Sequence, residues 1–288
     1  MQCPEPRTVS REIGPGDYEK IQVPCGQCLI CKESHRQEWT FRVQQEAREA
    51  RNALFLTLTY SEDTIPRNTI GEATLSKRDL QLFHKKLRQR IARDPIVAKM
   101  ALKWPPLRFY AIGEYGTNTN RPHYHGIYFN IPASVKDKIT DIWANGHVQY
   151  GTVTGASIHY VTGYLLTFQE VPFGIQKPFA TMSKNPGIGY NYISRTKDWH
   201  TKNKYTHVIG DQGQKINLPR YYKNHIFQDI TEAEQEEMEL NSLKNQTIGD
   251  IKEYEKVTKN GDDFYRTTNQ QIENRQRQIR NKHSKRKF

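Results

Sequence analysis

Apolar residues recur along the chain at two different periods, and the alternation of those periods predicts an order of elements. Trp39, Val43, Ala47 and Ala50 stand three or four residues apart in a charged stretch, the spacing of an amphipathic helix over residues 33–51. Ala53–Tyr60 (ALFLTLTY) is an apolar run rich in Leu, Phe and Thr and predicts a buried strand. Ser76 followed by Asp79 resembles a helix-starting capping pair. Leu80, Phe83, Leu87 and Ile91 then form a stripe, with Lys85, Lys86, Arg88 and Arg90 crowding the other faces. After the break at Trp104-Pro105-Pro106, Leu107–Tyr115 and Pro122–Phe129 predict a hairpin around the turn-rich residues 116–121. Pro132 opens a further helix with Val135, Ile139, Ile142 and Trp143 on one side, stopped by Asn145-Gly146. His147–Val153 reads as a strand and Gly155–Phe168 as a helix with Val161, Leu165 and Phe168 inward. From Phe173 to Tyr222 Gly, Pro and aromatic residues mix with too weak a period to assign elements.

The expected order is strand, helix, strand, strand, helix, strand, helix. A hairpin in the middle of two βαβ-like halves cannot belong to an all-parallel sheet, so the fold class is α+β. It has a central antiparallel sheet, helices on one face and the other face open for a ligand. The organisation is a Cys-rich N-terminal segment (1–35), a main domain (36–225) and a charged tail (226–288). That tail places five glutamates in 232–239 and seven Lys or Arg residues in 275–288, which predicts a solvated helix ending in a disordered basic arm.

The net charge of +12 favours a polyanionic partner, nucleic acid foremost. No apolar run approaches the roughly 18 residues that span a bilayer, and the N-terminus lacks a basic-then-apolar leader pattern. The expectation is a soluble, cytoplasmic protein without a membrane partner.

The chemistry concentrates in three places. His123 and His125 flank Tyr124 on a predicted strand, so both imidazoles project to one face. If the hairpin is symmetric about its turn, Glu114 falls opposite His123 on that face. Two imidazoles and a carboxylate suit Mn, Zn or Fe, and Mg when a phosphate completes the shell. Against this stands a bare His-x-His on an exposed strand that binds nothing. Tyr160 and Tyr164, four residues apart, share a helix face. A phenolate can displace a phosphodiester oxygen, and a pair would let one tyrosine hold a DNA end while the other attacks. The same pair also fits packing or base stacking. Cys25, Cys28 and Cys31, with Cys3 available as a fourth, make a C-x2-C-x2-C cluster. Structural zinc, unliganded thiols and an iron-sulfur cluster all fit that spacing.

Taken together, FLTLTY at 55–60, GEYG at 113–116, RPHYHG at 121–126 and YVTGY at 160–164 resemble the HUH endonucleases. The resemblance is strongest to the replication-initiation proteins of microviruses, above all the gokushovirus branch of these single-stranded DNA phages. PCGQC at 24–28, MSKNPGIG at 182–189 and LPRYY at 218–222 extend it over about residues 20–225. It implies an RRM-like βαββαβ core, Mn²⁺ or Mg²⁺ at His123, His125 and Glu114, and Tyr160 and Tyr164 as nucleophiles. It also implies rolling-circle replication in the host bacterial cytoplasm. A nick at a single-stranded origin or in replicative-form DNA would leave a 5′-phosphotyrosine and a free 3′ hydroxyl for host polymerase and helicase. Many relatives of this kind carry a lysine beside the tyrosines. Gly163 and Leu165-Leu166 supply none here, so Lys177, Lys184 or Arg220 would have to serve.

Two other readings stay open. A noncatalytic single-strand-binding protein would use tyrosines on an open sheet for stacking, but has no need of metal ligands. A relaxase or transposase would share the chemistry and differ in its product.

Overall fold

The computed structural model describes residues 3–100, 103–164, 171–211 and 213–231, with isolated positions beyond. The chain divides into two compact units, Arg36–Arg195 and a second drawn from Met1–His35 and Thr196–Phe288. In chain order the elements are β1 (Arg7–Gly14), β2 (Asp17–Val23), α1 (Leu29–Glu49), β3 (Ala53–Thr59), α2 (Lys77–Ala92) and α3 (Pro95–Ala98). There follow β4 (Arg108–Tyr115), β5 (Pro122–Phe129), α4 (Ala133–Lys136), α5 (Ile139–Trp143), β6 (Val148–Thr152) and α6 (Gly155–Gly163). The series ends with β7 (Phe179–Met182), α7 (Asn191–Asn203), β8 (His207–Ile209), β9 (Lys215–Asn217) and α8 (Arg220–Ile226). No helix among the described residues is long and apolar enough to cross a membrane.

The Arg36–Arg195 unit is α+β. Its five-stranded sheet runs in the order β6-β3-β5-β4-β7, and each neighbouring pair is antiparallel. The alternation of side chains sends Leu56 and Leu58 of β3, Phe109 and Ala111 of β4, and Tyr124 and Tyr128 of β5 to one face. There they meet Leu80, Phe83, Leu87 and Ile91 of α2 and Trp143 of α5. The start of α2 follows its sequence signal: the Ser76 hydroxyl accepts from the Asp79 N–H at 3.1 Å. Gly126 is required on this face by close approach, because a Cβ there would stand 2.5 Å from the Tyr128 ring and 3.0 Å from the Ala111 Cβ.

The expectation of helices on one face only is corrected. Tyr110, Ile112, Ile127 and Phe129 point to the opposite face and bury against Val43 of α1 and Ile158 and Val161 of α6. The reason lies in β4, which is buried at every position. A strand with both faces covered loses the apolar–polar alternation that marks a half-open sheet. The helix expected from Pro132 is two short helices, α4 and α5, although Val135, Ile139 and Trp143 still form one buried stripe. Leu165 and Phe168, assigned inward positions on the last core helix, lie outside the described residues, as does most of the charged tail.

Two features carried too little signal to be foreseen. β7 has four half-buried residues, shorter than any readable period, yet it pairs with β4 from Tyr110↔Met182 to Gly113↔Phe179. The segment after it is anchored by a buried ion pair. Arg108 donates to both Glu46 carboxylate oxygens and to the Gly187 carbonyl, while Glu46 accepts from the Gly189 N–H at 2.7 Å. In the second unit β1 and β2 form a hairpin paired from Arg7↔Val23 to Gly14↔Asp17, exposed at nearly every position.

Candidate functional site

The hairpin register places Glu114 directly across from His123 and Ile112 across from His125. His123, His125 and Glu114 therefore share one face near the β4–β5 turn. One donor atom from each lies within 4.8 Å of the others. Glu114 Oε1 is 2.9 Å from His123 Nε2 and 3.1 Å from His125 Nε2. Each ring is held from behind through its other nitrogen. His123 Nδ1 lies 3.0 Å from the Arg121 carbonyl, and His125 Nδ1 lies 2.9 Å from the Thr57 hydroxyl. That pattern fixes ring orientation and leaves Nε2 to face the cluster, as outer partners of metal-bound histidines do. Phe55 stacks on His125 with ring centroids 5.6 Å apart.

The electrostatics of the two imidazoles differ. Burial pushes His123 down, but its hydrogen bonds to Glu114 and the Arg121 carbonyl outweigh burial and hold it above the ordinary range. Burial prevails at His125, which is held below it. Glu114 Oε2 is buried and has no hydrogen-bond partner among the described residues. A buried carboxylate oxygen without a donor is costly, and a cation between the carboxylate and the imidazoles would satisfy it. The donor set, two nitrogens and a carboxylate with room for substrate oxygens, fits a divalent metal of the Mn or Mg kind.

α6 delivers the tyrosines to this cluster. Its start is closed by a capping box between Thr154 and Ser157. The helix is fixed on α1 by the Thr40–Thr162 hydroxyl pair at 2.8 Å and by Arg36 donating to His159 Nδ1 at 2.8 Å. Tyr160 Oη lies 3.3 Å from His125 Nε2, and Tyr164 donates to Tyr160 Oη at 2.7 Å. The phenols thus form a chain with Tyr160 at the inner end. Burial, then the Glu114 charge, hold the Tyr160 phenol above its usual range. Lys177 and Lys184 are exposed, and Arg220 belongs to the other unit.

The four cysteines, all half-buried and free of disulfides, also converge, with their sulfurs within 4.8 Å of one another. The Cys28 backbone N–H is the chief cause that draws the Cys25 thiol down to about 6, whereas burial pushes Cys31 up to about 12.

Sequence reasoning missed Thr57 and the Arg121 carbonyl. Thr57 had a signal, since β3 pairs it with His125. That pairing joins strands separated by the whole of α2 and β4, and only a commitment to strand order would have revealed it.

Residues 53–169 match a family of replication-associated proteins of the ORF2 type. The chain is 26% identical over 238 residues to the replication-associated protein VP4 of Bdellovibrio phage phiMH2K, covering 76% of this chain and 70% of that one. It is 26% identical over 226 residues to the replication-associated protein ORF2 of Spiroplasma virus 4, covering 69% and 66%. Against the replication-associated protein ORF4 of Chlamydia phage 1 it is 21% identical over 263 residues, covering 82% and 61%. The chain thus spans about two thirds of the length of these relatives. No solved structure matches it. The chain is a relative of the phage replication-associated proteins, and the stretch that matches their family encloses Glu114, His123, His125, Tyr160 and Tyr164.

Proposed function

We propose that this chain is a rolling-circle replication initiator of the HUH type, which nicks and rejoins one DNA strand at an origin through a tyrosine nucleophile. One observation carries the reading: a phenol, Tyr160, stands 3.3 Å from a His, His, Glu cluster whose donor atoms converge within 4.8 Å. The β3-α2-β4-β5-β6 order fits the RRM-like HUH core. In this reading residues 1–35 are a Cys-rich appendage, 36–225 the endonuclease domain and 226–288 a tail.

His123, His125 and Glu114 would hold Mn²⁺ or Mg²⁺, which when bound supplies positive charge to orient and polarise the scissile phosphate. Tyr160 Oη attacks phosphorus, forming a 5′-phosphotyrosine as the bond from phosphorus to the 3′ oxygen breaks. The 3′ oxygen takes up a proton to become a free hydroxyl, balancing the proton lost from the phenol. Tyr164, hydrogen-bonded behind Tyr160, would attack in the second transfer that rejoins the strand. Since burial and Glu114 disfavour the phenolate in the unloaded site, nucleophile activation is coupled to cation binding. The substrates would be the phage's single-stranded origin and replicative-form DNA in the host cytoplasm, with host helicase and polymerase extending the 3′ end.

The noncatalytic stacking platform is disfavoured by the sheet itself. Both its faces are covered, and Tyr110, Tyr124 and Tyr128 are buried rather than offered to bases. The test is incubation of the chain with labelled single-stranded origin DNA and Mn²⁺. A covalent adduct mapped to Tyr160 supports the reading; absence of any adduct with Mn²⁺ or Mg²⁺, while DNA is bound, would sink it.

A further inference from the structure

The cysteine cluster plays no part in the proposed chemistry, and its geometry is specific. Cys3 Sγ lies 3.8 Å from Cys28 Sγ, and Cys25 Sγ lies 3.9 Å from Cys31 Sγ. Four sulfurs bound to one ion at about 2.3 Å in a tetrahedron are about 3.8 Å apart along each edge. A disulfide would bring two sulfurs to about 2.0 Å, so these are not half-formed pairs. An iron-sulfur cluster holds each thiolate on a different iron, spreading the sulfurs further than a single central ion does. Backbone N–H groups converge on the same sulfurs. Those of Gln27 and Cys28 donate to Cys25 Sγ at 3.4 and 3.3 Å, that of Cys31 to Cys28 Sγ at 3.4 Å, and that of Cys25 to Cys3 Sγ at 3.3 Å. Such donors stabilise thiolates. Gly26, with φ of +73°, makes the tight turn that aims two N–H groups at Cys25.

From this geometry we propose that Cys3, Cys25, Cys28 and Cys31 bind one structural zinc ion that clamps the base of the β1–β2 hairpin to the first turn of α1. Cys3 precedes β1, Cys25 and Cys28 follow β2, and Cys31 lies within α1. A two-stranded hairpin exposed at nearly every position is marginal on its own, because it buries too little apolar surface to offset chain ordering. A cross-link at its base is what such an element lacks. Four protein ligands leave no open position, so the ion has no catalytic role. Binding displaces the thiol protons to solvent as the four sulfurs become thiolates. This inference is independent of the proposed nicking activity.

The test measures metal on the purified full chain. About one zinc ion per chain is expected to be released by mercurial titration of the thiols. It should be retained when Glu114, His123 and His125 are all replaced by alanine, and fall to background in Cys28→Ser with Cys31→Ser. Cobalt substituted for zinc should give an intense sulfur-to-cobalt charge-transfer band together with the visible bands of tetrahedral cobalt. Should the cysteine variant not fold, the cobalt spectrum of the unaltered chain decides. Four freely reactive thiols in metal-replete native protein, zinc that departs with the histidine variant, or iron with acid-labile sulfide would each overturn the proposal.

Discussion

Tyr160 and Tyr164 differ by position rather than by chemistry, since only Tyr160 reaches the histidine cluster and Tyr164 reaches it through Tyr160. Replacing either with phenylalanine keeps the ring and removes the reacting oxygen. Tyr160→Phe should lower first-strand adduct formation by on the order of 10³-fold or more, with DNA binding unchanged. Tyr164→Phe should still cleave but fail to transfer the strand to a second acceptor, as read on a gel of labelled substrate and product. An adduct undiminished in Tyr160→Phe would move the nucleophile elsewhere. Among the ligands, His123→Ala or His125→Ala should cost cleavage about 10²-fold or more and leave binding nearly intact, because the basic surface supplies affinity. Glu114→Ala should be milder where water replaces the carboxylate. Thr57 touches no substrate in this scheme; it holds the His125 ring. Thr57→Val should therefore raise the Mn²⁺ concentration for half-maximal cleavage by about 10- to 100-fold, with the rate recovered at saturating metal. A rate that stays low at saturation would contradict that positioning role. The pairing of Glu114 with His123 was legible from the hairpin alone, since two adjacent strands and a short turn set their own register. The pairing with Thr57 was not.

At the scale of elements, α2 shows how far a pattern can be read. Its cap and its Leu80, Phe83, Leu87, Ile91 stripe follow directly from the spacing of residues. The burial of His84 on the same helix does not. His84 stacks on Phe109 at 3.7 Å, and its Nε2 lies 3.0 Å from the Tyr128 hydroxyl. Burial, with a smaller contribution from Arg88, lowers it from an ordinary 6.5 to about 3. On acidification the unfolded chain takes up the proton first. This contribution to stability is therefore complete above about pH 6.5 and lost as pH falls towards 3, at up to about 1.4 kcal/mol per pH unit. His84→Gln, which keeps a polar partner for Tyr128, should flatten that slope by nearly one proton in urea unfolding followed from neutral to mildly acidic pH. An unchanged slope would show that His84 titrates normally. β7 and the β1–β2 hairpin escaped the pattern for opposite reasons. One is too short to display a period, and the other is exposed on both faces and displays none.

For the whole molecule, the charge of +12 and the seven Lys or Arg residues of 275–288 bear on affinity rather than on chemistry. Deleting residues 272–288 should weaken binding to single-stranded DNA and flatten its salt dependence. The slope of log affinity against log salt should fall by about 0.7 for each phosphate that the shortened chain no longer neutralises, while adduct formation at saturating DNA continues. An identical slope would show that this segment does not touch DNA. The amino-acid sequence by itself determined the α+β class, the central hairpin, the facing of His123, His125 and Glu114, and the clustering of the cysteines. Each rests on local periodicity or on spacings within one hairpin or one short segment. Only the tertiary structure decided that both sheet faces are covered, that β7 joins the sheet, and that Thr57 stands behind His125. It also brought the Tyr160 hydroxyl to the metal-ligand cluster. Those features join positions far apart in the chain, and their partners are chosen by packing and strand order, which no local pattern encodes.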